Sequence, residues 1–243
     1  MLVADGSESS NVAIGQSSMG GVNNNSTANN VAVGRNSLVG GTGALTDSIA
    51  IGYFTADGTG SIGGANNIFM GSNAGGGTWA TSTSNKNVAI GVESMDADMN
   101  GADDNTAIGY RSGSALTEGD NNVFFGSNAG LSVTTGENNV LIGHAAGDAV
   151  TTTNGLVLIG KNAGTANVAV GAEALDACTT NGWNTAIGSY CGGLATGSYN
   201  TFLGAKSGEN LTSGSSNIYI GFHTEASAVD VTNEIVIGST DAF

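Results

Sequence analysis

A five-residue motif recurs fourteen times in this chain of 243 residues and constrains its fold more than any other feature. The motif reads Asn-Val-Ala-Ile-Gly at residues 11–15 and again at residues 87–91. Near-copies occupy residues 30–34, 48–52, 67–71, 105–109, 122–126, 139–143, 156–160, 167–171, 184–188, 200–204, 217–221 and 234–238. A unit this short cannot bury its apolar residues alone, so the sequence predicts that neighbouring copies stack into one continuous structure.

The spacing of the motifs defines the domain organisation. The closing glycines of the first six copies are 18 to 20 residues apart, and later spacings are mostly 17, with one step of 11 between Gly160 and Gly171. The variation falls between the residues just after each glycine and the next asparagine, as expected for insertions at one corner of a coil. We therefore predict one fibre domain over residues 1–243, with longer loops in 1–104 and tighter repeats of about 17 residues in 105–243.

Inside the motif, the residue types alternate with the period of a β-strand. The residue three before the glycine is Val, Ile or Thr in every copy, and the residue just before the glycine is Ile, Val, Leu, Met or Phe. This pattern predicts a strand. The residue between them is also apolar or aromatic, which predicts that both strand faces are buried. One coil has only one interior, so we expect the second face to contact another chain; left exposed, it would exceed the apolar patch that a soluble monomer tolerates.

The polar ends of the motif predict how the layers are joined. Asparagine opens most copies and would stack on its equivalents as a ladder of amide hydrogen bonds. The closing glycine would supply a positive φ at a corner. One strand layer per copy gives a rod on the order of 65 Å long. These residues predict an oligomer, but they leave the number of chains open.

Composition excludes several function classes. The net charge is −15, which disfavours nucleic acid and anionic membrane surfaces as partners. No stretch has the length and apolarity of a membrane span, so we predict no membrane insertion. The start of the chain lacks the pattern of a signal peptide. Cys178 and Cys191 occupy different repeat positions that are small or apolar elsewhere, which favours two reduced structural thiols.

One stretch resembles the start of a calcium-binding loop. Asp96, Asp98, Asn100 and Asp103 bring several oxygen donors to a turn that contains Gly101, and hard cations prefer such donors. The alternative is a solvated turn, because the glutamate that closes a helix-flanked calcium loop is missing. Ca²⁺ is the one cofactor that the sequence suggests. No serine nucleophile motif is present and the acidic residues share no repeat position, so we predict that the chain is not an enzyme; a carboxylate pair that cleaves polysaccharide stays as an alternative.

The two positions after each glycine are variable and are polar or aromatic, which predicts an exposed stripe along the rod. We select Tyr53, Tyr110, Arg111, Tyr190 and Phe222 as candidates that face a receptor. Trp79 and Trp183 are further aromatic residues that would be exposed and could stack on receptor sugars. Trp183 could equally pack beside the strand that follows it.

The motif also resembles repeats of known families. Asn-Val-Ala-Ile-Gly followed by two residues and then Ser or Ala resembles the head repeats of YadA-like trimeric autotransporter adhesins. The longer form at residues 122–130, together with Leu-Thr-Ser-Gly at 211–214, resembles repeats in bacteriophage tail fibres. Residues 232–238 resemble the segment that leads into a self-cleaving intramolecular chaperone in such fibres.

The resemblance implies a trimer of parallel β-rolls. We therefore predict an all-β, elongated parallel β-roll or β-solenoid repeat array, similar to a triple β-helix, in an intertwined or side-by-side homotrimer. The predicted function is a stiff structural or adhesive segment of a phage tail fibre or surface appendage, located on a virion or cell surface. It would bind a glycan or protein receptor on a host cell. The alternatives are the head of a trimeric autotransporter adhesin and, third, a polysaccharide-degrading tailspike.

Overall fold

The structure, a computed structural model, describes residues 10–21, 27–40, 45–58, 63–79, 82–164, 168–178 and 182–239. All fourteen motifs form strands of one parallel sheet, which confirms the predicted all-β parallel β-solenoid. None of the described residues lies in a helix, so none of them belongs to a helix that could cross a membrane.

The large sheet contains every strand except β3 and β5, in chain order, and these two form a small second sheet in the early coils. The strands are β1 (Val12–Ile14), β2 (Val31–Val33), β3 (Leu45–Thr46), β4 (Ile49–Ile51), β5 (Gly64–Ala65), β6 (Ile68–Met70), β7 (Val88–Ile90), β8 (Thr106–Ile108), β9 (Val123–Phe125), β10 (Val140–Ile142), β11 (Val157–Ile159), β12 (Val168–Val170), β13 (Thr185–Ile187), β14 (Thr201–Leu203), β15 (Ile218–Ile220) and β16 (Ile235–Ile237).

The register of the sheet places each motif directly on the next. Val123 pairs with Val140, and Phe124 pairs with Leu141. Every other neighbouring pair in the large sheet has the same register. Each coil of the chain therefore adds one layer of about 4.8 Å, and equivalent residues form straight columns along the solenoid axis.

The core lies inside the coils and extends along the solenoid axis. The second residue of each strand faces the interior: Phe69, Phe124 and Phe202 are at most 1% exposed. The first and third residues face outward, because successive side chains of a strand point to opposite sides. The face available to a partner is therefore made by those first and third residues.

In the interior, the size of the inward-facing strand residue is related to the size of the residue that faces it from the opposite wall of the coil. Gly130 lies against Phe124, and a Cβ on that glycine would come 2.6 Å from the phenylalanine ring. At Ala89 the strand carries a small residue, and the equivalent wall position is a large buried residue, Met95. At Ala107 the wall residue is also small, Gly113, and the ring of Phe124 from the next layer lies against it.

The predicted asparagine ladder is confirmed. Oδ1 of Asn122 accepts hydrogen bonds from the backbone N–H and the Nδ2 of Asn139, at 3.0 and 3.1 Å. Its own Nδ2 donates to Oδ1 of Asn105 at 3.0 Å and to the carbonyl of Gly136 at 2.8 Å. These amides are fully buried, so the hydrogen bonds satisfy groups that would otherwise be costly to bury.

Three layers depart from the ladder. Ser48 takes the place of asparagine, and its hydroxyl accepts the N–H of Asn67 at 3.2 Å. Leu156 has no side-chain acceptor for a hydrogen bond from the next layer, although its N–H still donates to Oδ1 of Asn139. Glu234 donates the last hydrogen bond of the ladder, from its N–H to Oδ1 of Asn217, and its carboxylate accepts hydrogen bonds from the Tyr219 hydroxyl and the Ser227 N–H. The motif position Asn167 lies outside the described residues.

Both cysteines are buried and neither is in a disulfide, as predicted. Cys191 replaces the serine of other coils, and its thiol donates to the carbonyl of Gly188 at 2.9 Å. Burial raises the pKa of the Cys191 thiol to about 12, which makes it a poor nucleophile.

Candidate functional site

The most extensive candidate surface for a functional contact is the outward face of the large sheet, which we define as the first and third residues of its fourteen strands. All of these residues are apolar except Thr106, Thr185 and Thr201. None of them is buried, and Phe125 is 53% exposed. The face is about 60 Å long with about 7 Å between its two columns, which gives an area on the order of 400 Å². This is within the range of the largest apolar patches found on monomers.

Two further columns border the outward face, and we call them the flanks. The leading flank is the residue two positions before each strand, and the trailing flank is the residue two positions after it. The backbone turns at both ends of each strand: the leading residues of the described layers, such as Asn121 and Trp183, have positive φ, and so do the closing glycines that precede the trailing residues. The flanks are therefore the corners of the coil on either side of the outward face.

The five residues predicted to face a receptor are all exposed. Tyr53, Tyr110 and Phe222 belong to the trailing flank, and Arg111 and Tyr190 occupy the next position along the chain. Their strands are β4, β8, β13 and β15, so layers of sheet separate all of them except the consecutive pair Tyr110 and Arg111. The structure does not bring them together in one binding site. They remain candidates for contacts distributed along the rod.

The prediction that Trp79 is exposed is wrong. Its indole is 1% exposed and packs edge-on against Phe69, with ring centroids 5.8 Å apart. It therefore belongs to the interior of a long early coil. Trp183, in contrast, is 69% exposed, and Tyr199 in the same flank of the next layer is 62% exposed. Tyr199 was not singled out from the sequence, because it lies outside the five-residue motif.

The four candidate calcium ligands point toward different partners in the preceding coil. Asp98 accepts the N–H of Thr78 at 2.5 Å, and Asn100 accepts the N–H of Ser82 at 3.1 Å. Asp103 accepts the backbone N–H of Asn85 at 2.6 Å. Asp96 packs against Gly76. Among the described residues no three His, Cys, Asp or Glu side chains are grouped to hold a metal ion, and calcium binding by this turn stays a prediction.

Asp96 is the most perturbed carboxyl group of this turn. Its pKa is raised to about 6, mainly by partial burial and also by the charges of Glu93 and Asp57, while the charge of Arg111 acts in the opposite direction. The neighbouring guanidinium is engaged with Glu93, since Nε of Arg111 lies 3.4 Å from Oε2 of that residue. The site is a small acidic cluster on the wall opposite the sheet.

Replacing Asp96 by asparagine is expected to stabilise the protein at neutral pH. The folded-state pKa is raised, so the folded chain keeps a proton that the unfolded chain loses, and ionisation costs stability as pH rises from about 4 to about 6. The variant D96N avoids that cost. We expect a gain of about 1 kcal/mol at pH 7.5, less than the full shift implies because the group is partly exposed, and no gain at pH 4.

Urea unfolding at pH 4 and pH 7.5 measures this difference. The exposed Glu118, replaced by glutamine, is the control for removal of a negative charge from the surface. Equal gains for the two variants at pH 7.5 would contradict the assignment of the effect to Asp96.

A shallow pocket lies beside Tyr190. Its lining includes Glu173, Asp176, Leu194 and Glu209, from three successive coils, and its volume is about 220 Å³. Burial raises the pKa of Asp176, and the charges of Glu173 and Asp148 add to the rise. The pocket was not predicted, because its carboxylates occupy two different repeat positions and converge only when the coils stack.

No family model, curated protein or solved structure matches this chain.

Proposed function

We propose that this chain is a stiff segment of a homotrimeric fibre, of the kind that forms phage tails or other surface appendages. The observation that carries the proposal is the outward face: fourteen layers of Val, Ile, Leu, Met, Phe and Thr that no part of the described chain covers. Leaving so much apolar surface in water is unfavourable by about 25 cal/mol per Å². Association with identical chains removes that surface from water.

The resemblance of the motif to repeats of trimeric fibres favours three chains. Because each chain closes its own interior, the three chains lie side by side in this proposal and do not intertwine.

The same features support a mechanical role. Hydrogen bonds of the sheet and of the asparagine ladder connect each layer to the next, and the layers are in register from β1 to β16. A fibre of this kind presents its loops and its exposed aromatic residues along the shaft. Weak contacts of these groups with a glycan or protein receptor on a host cell would add up over three chains through avidity. In this proposal the segment acts by binding and not by catalysis.

The mass of the protein in solution tests whether three chains associate. A charged residue introduced into the outward face tests whether that face is the contact surface. The chain should sediment at three times its mass of 23.8 kDa. We expect Phe125→Asp to sediment as single chains, because three carboxylates would converge near the axis at a cost of about 3 kcal/mol or more for each buried charge. Since Phe125 is half exposed in one chain, the fold should persist in circular dichroism.

Thr135→Asp is the matched control, because Thr135 is exposed in a loop away from the outward face. It should keep the mass of the parent. A parent protein that sediments as single chains at micromolar concentration would overturn the proposal, as would a trimer that Phe125→Asp leaves intact.

A further inference from the structure

The pocket beside Tyr190 has a floor without a side chain. Gly193 forms this floor, between Asp176 of the preceding coil and Glu209 of the following coil, which hold the same position after the closing glycine. Tyr190 and Leu194, which are 46% and 54% exposed, also line the pocket. The absence of a side chain at Gly193 therefore makes the surface concave at this layer.

The fold does not require glycine at this position. The φ of Gly193 lies outside the left-handed region, and a Cβ there would come no closer than 3.5 Å to the carbonyl oxygens of Glu173 and Tyr190. Other coils place side chains at the equivalent position, including Ser114 and Leu131. Glycine at 193 thus contributes an open space and not a special backbone conformation.

The carboxylates around this space are only partly neutralised. Glu209 has partners in Lys206 at 3.4 Å and His223 at 3.3 Å. Within the described part of the chain, no basic side chain forms an ion pair with Glu173 or Asp176. Burial raises the pKa of Asp176 and the charge of Glu173 raises it further, so a cation that enters the pocket relieves unfavourable negative charge.

The shape of the pocket favours an organic cation over a metal ion. Asp176 and Glu209 lie two layers apart, or about 10 Å along the axis, whereas Ca²⁺ needs several oxygen atoms within about 2.6 Å. A basic side chain combines a charged head with an apolar stem. Such a stem can pack on Leu194, and the cation can lie over the ring of Tyr190. The volume of about 220 Å³ admits one side chain of this kind.

We propose that this pocket binds one basic side chain, of lysine or arginine, from a partner protein. The charged head lies at Glu173 and Asp176, and the stem lies along Leu194 and the ring of Tyr190. A sugar ring fits less well, because its hydroxyl groups find no hydrogen-bonding side chain at Leu194 or Gly193. The net charge of −15 attracts a basic partner. The inference rests on the proposed receptor binding for its partner, but not on the trimer, because one chain supplies every lining residue.

Amino-acid analogues test the site in the whole chain. The methyl resonances of Leu194 are followed by NMR while Nα-acetyl-lysine methylamide or the corresponding arginine analogue is added. Both should produce saturable shifts at millimolar concentration. The norleucine analogue keeps the stem without the charge and should bind about tenfold more weakly. Equal binding of norleucine, or no saturable shift with either basic analogue, would overturn the site. Tighter binding of glucosamine than of both basic analogues would overturn a protein as the partner.

Variants test the open floor and the two unpaired carboxylates separately. Gly193→Leu should abolish binding of the lysine analogue while the urea midpoint stays close to that of the parent, because Leu131 occupies the equivalent position in another coil. Glu173→Gln combined with Asp176→Asn should weaken binding about tenfold. Unchanged affinity in either variant would contradict the proposal.

The exposed Glu118, replaced by glutamine, is the matched control for loss of charge. It lies in a coil four layers before that of Glu173, so Glu118→Gln should leave the affinity within about twofold of the parent. A loss as large as that of the double variant would assign the binding to net charge and overturn the pocket.

Phe125→Asp separates this inference from the proposed trimer. Single chains of this variant should bind the lysine analogue as the parent does, because the pocket lies within one chain. Loss of binding in those single chains would overturn a site formed by one chain. A parent that sediments as a trimer without binding either basic analogue would overturn the pocket alone, whereas a parent of single chains that binds them would overturn the trimer alone.

Discussion

Replacing Gly143 by alanine is expected to destabilise the solenoid by roughly 3–5 kcal/mol. Gly143 has φ of +132°, and a Cβ there would overlap the carbonyl oxygen of Gly160 and lie 2.7 Å from its carbonyl carbon. Both atoms are backbone of the next layer, so they cannot move without opening the sheet. Guanidinium unfolding followed by circular dichroism, at one fixed chain concentration, measures the loss.

Gly238 offers a matched control for this change. It has φ of +134° and the same position in the motif, but nothing lies within 4 Å of the Cβ that alanine would add. Gly238→Ala therefore contains the conformational strain without the overlap, and we expect a loss of about 1–2 kcal/mol. Equal losses for the two variants would mean that the close stacking of carbonyls is not what requires glycine.

Replacing Asn122 by alanine is expected to cost about 3–5 kcal/mol, the second of the two largest effects. The change leaves the backbone N–H of Asn139 and the carbonyl of Gly136 buried without the partners that Asn122 supplies. It also removes one of the donors to Asn105. Leaving a buried polar group unsatisfied costs more than the hydrogen bond itself contributes.

Asn122→Ser should retain part of this stability. Ser48 already holds the ladder position in an early layer, where its hydroxyl accepts the N–H of the following layer. We expect a loss about half as large as that of the alanine variant, measured in the same unfolding experiment. A serine variant as unstable as alanine would show that the amide contributes through packing and not through its acceptor oxygen.

The strands and their register were predictable from the sequence, because the motif carries both. The period of two around Val88 and Ile90 identifies the strand. Because the same residue types recur at nearly equal intervals, only one register places each motif residue on its equivalent in the next layer. The asparagine ladder follows from the same recurrence, since a buried amide next to its own copy has both a donor and an acceptor within reach.

Features that depend on two separated positions were not predicted. The match between Phe124 and Gly130 involves the strand and the opposite wall of the coil, and no periodicity marks it. Trp79 was expected to be exposed, yet its indole lies inside the long early coil against Phe69. The acidic pocket beside Tyr190 was missed for the same reason, because its residues come from successive coils.

The candidate site was predictable only in part. The sequence shows that both sides of the strand are apolar, and the structure shows which side each chain leaves uncovered. The aromatic residues after the glycines were identified as variable, and the structure places them in separate layers.

The direction of the hydrogen bonds has a consequence for a fibre under tension. In this solenoid they run along the long axis, so a pulling force loads the layers in series and the weakest junction sets the breaking force. The chain has one evident candidate for that junction, the short step between Gly160 and Gly171, where Leu156 also interrupts the run of side-chain amides. Rupture under load should begin there, between β11 and β12, and leave two stable halves.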